Sequence, residues 1–247
     1  MLKDINIVLD IDSTLINSFD QTDAIYDLVA QGDHEVNYLA HQSYHLDVTL
    51  PEETSPFHMW GIYRPHLTEF ILYCIENFKN VYIWSAGCKL YVDSVVESIF
   101  SQMNYHPPIV LSNQDTYCDD ENNVVNKPLS ALYKKSKGQA NEMNTLIVDD
   151  REDTFSSNPD NGILIPRFSF DDMSVEHDGK RATLEQIERD IANDNSLQQL
   201  IKWFEENQEE LNKGDVRRVR KSDIFRRPVG NRRQAVISPS LRTSSRQ

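Results

Sequence analysis

Short, uniformly apolar runs alternate along this chain with amphipathic stretches of helical period. Residues 5–9 read Ile-Asn-Ile-Val-Leu and end in Asp10, the pattern of a strand buried on both faces. Similar runs stand at residues 81–84, 145–148 and 162–165. Between the first two, Leu67, Phe70, Ile71, Cys74, Ile75 and Phe78 recur at i, i+3, i+4, i+7, i+8 and i+11 behind Pro65, predicting a helix with proline in its first turn. Val92, Val95, Val96, Ile99 and Met103 mark a second helix. Strands alternating with helices require right-handed crossovers and a parallel sheet, so the predicted class is α/β.

Other stretches depart from that alternation. Residues 17–54 are polar, acidic and weakly periodic, too long for a plain connection, and are expected to carry structure of their own above the sheet. Residues 57–63 read as a strand feeding the Pro65 helix, and residues 117–125, apolar at both ends with an acidic, Asn-rich centre, as a small hairpin. Leu184, Ile187, Ile191, Leu197, Leu200, Ile201 and Phe204 form a helix pair broken near Asn193-Asp194-Asn195. From Lys213 onward Arg, Ser and Pro accumulate around Phe225 as the single aromatic, which predicts a flexible tail.

Composition adds two constraints. The 247 residues contain 39% hydrophobic and 26% charged side chains, enough for one well-cored domain. The net charge of −14 argues against a dedicated nucleic-acid binder, but it is unevenly spread. In residues 213–247 eleven Lys and Arg stand against Asp215 and Asp223, a net of +9, which leaves −23 to the first 212 residues. Cys74, Cys88 and Cys118 are far apart with no CxxC pair, so a reducing, intracellular setting, nuclear or cytoplasmic, is expected. No apolar run is long enough to span a membrane, and the N-terminus lacks a signal-peptide core.

The candidate chemistry lies at strand ends. Asp10 and Asp12 follow the first buried strand two residues apart, and Asp149-Asp150 close a later one. Ligands of open parallel sheets bind beyond the carboxyl ends of the strands, so the two acidic pairs are expected to converge. An Asp after a strand is commonly just a turn or helix cap, but two such pairs with Thr14 nearby form a more specific conjunction. Metal-assisted phosphoryl transfer needs this set: one carboxylate to attack phosphorus, one to move a proton, others to hold a hard cation.

Val8-Leu-Asp-Ile-Asp-Ser-Thr-Leu resembles the first motif of the haloacid dehalogenase superfamily, in the D-x-D-x-T form of the FCP/SCP-type protein phosphatases, best known for dephosphorylating the C-terminal repeats of RNA polymerase II. Arg64, Pro65, Glu69 and Phe70 match that family's R-P-x-x-x-E-F signature, and Trp84-Ser-Ala-Gly stands at its second motif. Val125-Asn-Lys-Pro-Leu resembles its lysine segment; Ile147-Val-Asp-Asp-Arg-Glu-Asp and Asn158-Pro-Asp-Asn resemble its closing metal motif and the N-P-x-N stretch after it. The likeness runs from about residue 3 to about residue 206.

That resemblance implies a three-layer, Rossmann-like fold with a central parallel sheet and a small β insertion near the active site. It implies a phosphatase domain over residues 1–212, with a polar insertion at 17–56 and a hairpin at about 109–126, ahead of the tail at 213–247. Asp10 would be the nucleophile, Asp12 the general acid and base, Thr14, Ser85 and Lys127 the phosphate contacts, and Asp10, Asp12 through its carbonyl, Asp149 and Asp150 the Mg²⁺ site. Arg64 is assigned to structure, capping its helix and pairing with acids. The implied activity is Mg²⁺-dependent hydrolysis of phosphoserine or phosphothreonine through an aspartyl-phosphate, on the RNA polymerase II C-terminal repeat or a similar Ser-Pro-rich peptide. The alternatives are a phosphatase of nucleic-acid 3′ ends or small metabolites, and a catalytically weak binding module. The basic tail would contact nucleic acid or an import receptor. Trp84-Ser-Ala-Gly is an unusual second motif, and residues 17–54 align poorly with relatives.

Overall fold

The computed structural model describes residues 1–20, 42–49, 57–119, 124–169 and 184–225. In chain order these form β1 (Leu2–Leu9), β2 (Ile16–Asp20), β3 (Ser43–Val48), β4 (Phe57–Tyr63), α1 (Leu67–Asn77), β5 (Phe78–Trp84), α2 (Lys89–Phe100), β6 (Val110–Leu111), β7 (Tyr117–Asp119) and β8 (Val124–Asn126). Then come α3 (Leu129–Lys135), β9 (Thr145–Asp149), β10 (Gly162–Leu164), α4 (Leu184–Ala192), α5 (Ser196–Glu206) and the short α6 (Gln208–Leu211).

The predicted parallel sheet is present, ordered β10-β9-β1-β5-β6, with the first apolar run at its centre. Alternation along β1 explains why both faces are covered. Ile7 and Leu9 join a large core with α1, α2 and α5, whereas Val8 packs with Tyr82, Trp84, Ile147 and the Leu129 and Leu132 side chains of α3. The result is three layers. The chain leaves β1 toward β5 and β6, then returns to build β9 and β10 on the other side, so the strand order reverses between β1 and β9. A crevice opens at such a switch point, beyond the strands' carboxyl ends.

Part of the polar insertion forms a second sheet, antiparallel and ordered β2-β4-β3; residues 21–41 and 50–56 lie outside the described residues. The hairpin predicted from residues 117–125 is β7 paired with β8. One local prediction shifts: α1 begins at Leu67, so Pro65 precedes the first turn, and His66 takes a left-handed φ of 65° at the helix start.

The start of the predicted tail is corrected more substantially. Val216, Val219 and Ile224 are buried in the large core, and the Val216 N–H donates to the Met143 carbonyl at 2.9 Å. Average composition over residues 213–247 concealed three apolar side chains spaced to reach one surface. Residues 226–247 lie outside the described residues.

Candidate active site

Asp10 and Asp149 emerge from neighbouring strands, β1 and β9, which are paired in register from Asn6–Thr145 to Leu9–Val148. The Asp10 N–H donates to the Val148 carbonyl at 3.0 Å, carrying that pairing past the end of β1 and fixing both carboxylates at one mouth. Lys127 reaches the same point from the stretch between β8 and α3. Its ammonium donates to Asp10 Oδ1 at 2.5 Å and Asp149 Oδ2 at 2.7 Å, and all three side chains are buried. Asp150 adds a third carboxylate and is paired with Arg167 across 3.7 Å.

Asp10, Asp149 and Asp150 each offer an oxygen within 4.8 Å of the others. Lys127 and the more distant Arg167 leave three carboxylates short of one positive charge, which works against ionisation of Asp10 and Asp150. Burial, then the charge of Asp149, pushes Asp10 up to about 8. The same two causes, opposed by Arg167, raise Asp150 to about 6. Burial works against the charge on Lys127, but Asp10 and Asp149 outweigh it and hold its pKa above the ordinary lysine value. A set of hard oxygen donors with surplus negative charge fits a divalent cation such as Mg²⁺.

The Asp12 side chain is not in that group. Its Oδ2 accepts from Ser85 Oγ at 3.2 Å, while Oδ1 accepts from Ser18 Oγ at 3.3 Å and from the Tyr91 hydroxyl. Burial raises its pKa, and the bonds from Tyr91 and Ser85 work in the opposite direction. Ser85 Oγ also accepts from the Gly87 N–H at 3.0 Å. Thr14 is fully buried, and its hydroxyl has no partner among the described residues, the kind of orphan a phosphate oxygen would satisfy. Thus Asp10, Lys127, Asp149 and Asp150 are brought together directly, with Asp12 and Ser85 alongside and Thr14 in the same turn.

The turn itself is held from outside. Ser13 adopts a left-handed φ of 59°, costly for a residue with a Cβ, and its carbonyl accepts from the Phe168 N–H at 2.8 Å. Arg64 does not cap α1 with its side chain. It is fully buried, donates to the Thr14 and Pro166 carbonyls at 2.9 and 2.7 Å, and forks onto Asp194 at 3.1 and 2.8 Å. It therefore ties the turn of residues 12–15 to the break between α4 and α5. Asn158 and Asn161 likewise brace their surroundings: Asn158 Oδ1 accepts from the Leu129 N–H beside the Lys127 segment, and Asn161 Nδ2 donates to the Glu142 and Thr145 carbonyls.

Sequence reasoning missed Ser18, Tyr44, Tyr91 and Arg167. Two glycines carried a signal for the tyrosines. A Cβ on Gly87 would stand 2.6 Å from the Tyr91 ring, and one on Gly61 would stand 2.4 Å from the Tyr44 hydroxyl.

An α/β sheet with a carboxylate cluster and a buried lysine at its switch point defines the molecule as a haloacid-dehalogenase-like fold. The model of the NLI interacting factor-like phosphatase family matches residues 5–217, and the chain belongs to that family. It is similar to the zebrafish (Danio rerio) "Ubiquitin-like domain-containing CTD phosphatase 1", 30% identical over 134 residues, covering 52% of this chain and 42% of that one. The Xenopus tropicalis protein of the same name is 27% identical over 142 residues, covering 56% and 44%. The chain spans less than half the length of either relative. Two solved structures share the fold. Fcp1, "an essential RNA polymerase II CTD phosphatase", superposes with a TM-score of 0.60 at 18% identity, and a variant of fission yeast Fcp1 bound to beryllium fluoride with 0.59 at 17%. Each comparison covers 87% of this chain and 69% of the other.

Proposed function

We infer that the chain is an Mg²⁺-dependent phosphoserine/phosphothreonine protein phosphatase working through an aspartyl-phosphate. The observation that carries this reading is the convergence of Asp10, Asp149, Asp150 and Lys127 on one buried point, with the Asp12 side chain alongside and its carbonyl left as a further cation ligand. Asp10, Asp149 and Asp150 would hold the cation, which when bound supplies positive charge to the phosphate oxygens. An Asp10 carboxylate oxygen attacks phosphorus, and the ester P–O bond breaks with its electron pair going to the leaving oxygen. Asp12 gives that oxygen its proton. Lys127, with the hydroxyls of Thr14 and Ser85, binds the transferring group and offsets its charge. Water then attacks phosphorus while Asp12 takes its proton, the bond to Asp10 breaks, and inorganic phosphate leaves.

The names of the relatives favour a phosphorylated polymerase-tail-like peptide as substrate. The acidic main body, at −23, fits a lightly charged Ser-Pro-rich peptide better than a polyanion. Residues 226–247 would supply contact with nucleic acid or an import receptor, as their basic composition allows. The test is hydrolysis of p-nitrophenyl phosphate with Mg²⁺, followed by a comparison of phosphopeptides with 3′-phosphorylated oligonucleotides. Undiminished turnover by Asp10→Asn would exclude the covalent route, and preference for the oligonucleotides would exclude the protein substrate.

A further inference from the structure

Asp12 must give up a proton and take one back, so which of its oxygens faces the reaction matters. Four hydroxyls surround its carboxyl or back it up, drawn from different parts of the chain: Ser18 on β2, Tyr44 on β3, Ser85 after β5 and Tyr91 on α2. Each hydroxyl has one proton, and counting them orders the network. Tyr91 donates to Asp12 Oδ1, so in its 2.6 Å contact with Ser18 it can only accept. Ser18 therefore directs its one proton mainly to the Tyr91 oxygen, with Asp12 Oδ1 at 3.3 Å sharing it, and in its 2.7 Å contact with Tyr44 it accepts while Tyr44 donates. The protons of Tyr44, Ser18 and Tyr91 run toward Oδ1, which takes the Tyr91 proton and a share of the Ser18 proton; Oδ2 accepts from Ser85 alone, at 3.2 Å, among the described residues, and is the more open oxygen.

Two glycines show that the backbone is built around this network. Gly87 leaves room for the Tyr91 ring, an added Cβ meeting it at 2.6 Å, and Gly61 leaves room for the Tyr44 hydroxyl and the Asn17 carbonyl, at 2.4 and 2.5 Å. Both clearances would be closed by alanine. The unusual Trp84-Ser-Ala-Gly motif thus has a physical account: glycine stands where Tyr91 must pass to reach Asp12.

We propose that Tyr91, backed by Ser18 and Tyr44 of the insertion sheet, is a positioning residue that locks the Asp12 carboxyl with Oδ1 turned away from the reaction and Oδ2 presented as the oxygen that exchanges the proton. The inference rests on the phosphatase reading above. It makes the insertion sheet part of the acid-base machinery, since Ser18 and Tyr44 belong to β2 and β3 rather than to the parallel sheet.

The experiment compares phenyl phosphate with p-nitrophenyl phosphate, two substrates of the same shape whose leaving groups differ in their need for a proton. The value of kcat/KM reports phosphoryl transfer to Asp10, and general-acid assistance is worth about 10²–10⁴-fold where it is required. Tyr91→Phe keeps the ring and its packing. It is expected to lower kcat/KM by about 10-fold or more on phenyl phosphate and by less than about threefold on p-nitrophenyl phosphate. Ser18→Ala and Tyr44→Phe should give smaller losses in the same sense, and they carry the test should Tyr91→Phe fold poorly. A crystal structure of Tyr91→Phe should show the Asp12 carboxyl rotated from its wild-type position. Equal losses on both substrates, no loss on either, or an unmoved Asp12 would overturn the proposal. A wild-type protein that hydrolyses neither substrate would instead overturn the phosphatase reading beneath it.

Discussion

The two ends of the parallel sheet treat buried polar groups in opposite ways. At the amino end of the strands, neutral donors and acceptors are matched: Asn6 Nδ2 donates to the Gln139 and Asn144 carbonyls, Asn80 Nδ2 donates to Asn6 Oδ1, and Asn161 satisfies two carbonyls at 2.7 Å each. At the carboxyl end, Asp10 and Asp149 share one ammonium, Asp150 adds a third carboxylate paired with Arg167 across 3.7 Å, and the Thr14 hydroxyl has no partner among the described residues. A structure that only needed stability would match its buried groups at both ends. The surplus is what the proposed cation would offset, because buried negative charge is costly alone and becomes favourable beside a divalent cation.

That comparison breaks most sharply at Asp10. Asp10→Asn is expected to reduce Mg²⁺-dependent hydrolysis by at least about 10³-fold, as loss of a nucleophile does. In metal-free protein the same change removes one of the crowded carboxylates, so thermal unfolding should move upward by about 2–4 °C, the shift that corresponds to roughly 1 kcal/mol in a chain of this size. A melting temperature that falls would show that the cluster is balanced after all. Lys127→Met makes the complementary cut, leaving Asp10 and Asp149 buried without a counter-charge. It should cost about 3–5 kcal/mol in chelator-treated protein, with part of the loss recovered on adding Mg²⁺. Urea titrations with and without the cation measure both halves.

At the matched end the expectation reverses. Asn161→Ala strips the donor from the Glu142 and Thr145 carbonyls and should lower stability by about 2–3 kcal/mol, while kcat/KM of the folded fraction stays within about twofold of wild type. A selective loss of activity would mean that β9 had shifted and carried Asp149 with it.

How far the sequence discloses these two ends depends on how each is encoded. The convergence at the carboxyl end was legible because its carboxylates follow uniformly apolar runs, and adjacent parallel strands bring Asp10 and Asp149 to one edge. Apolar period also exposed α1, α2 and the helix pair α4–α5. Tyr91 was hidden because it sits one residue before Val92 in a helical stripe, where an aromatic reads as core; its hydroxyl matters only once folding places Asp12 against it. Ser18 and Tyr44 lie in a stretch with weak period, and their strands pair with residues 57–63, a non-local match that no local pattern reveals. Val216, Val219 and Ile224 were lost in the average of an Arg-rich segment, which concealed that the first part of the tail closes the amino end of the sheet.

Lys221 gives the smallest and most specific test of that closure. It donates to the Asp160, Val216 and Val219 carbonyls at 2.7, 2.8 and 3.0 Å, stapling the segment after α6 to the turn before β10. Burial pushes its pKa down to about 8 from the ordinary 10.5, although Asp160 and Asp215 pull the other way. Between those two values the folded chain binds fewer protons than the unfolded chain, so this group makes stability rise with pH across that window. The ammonium is partly open to solvent, which keeps the effect below about 1 kcal/mol. Urea unfolding of wild type and Lys221→Met at pH 7.5 and pH 10 should therefore show the difference moving in favour of wild type at the higher pH. A difference that stays constant would mean that the three carbonyls hold the ammonium as well as water does, making Lys221 one more matched group at the closed end.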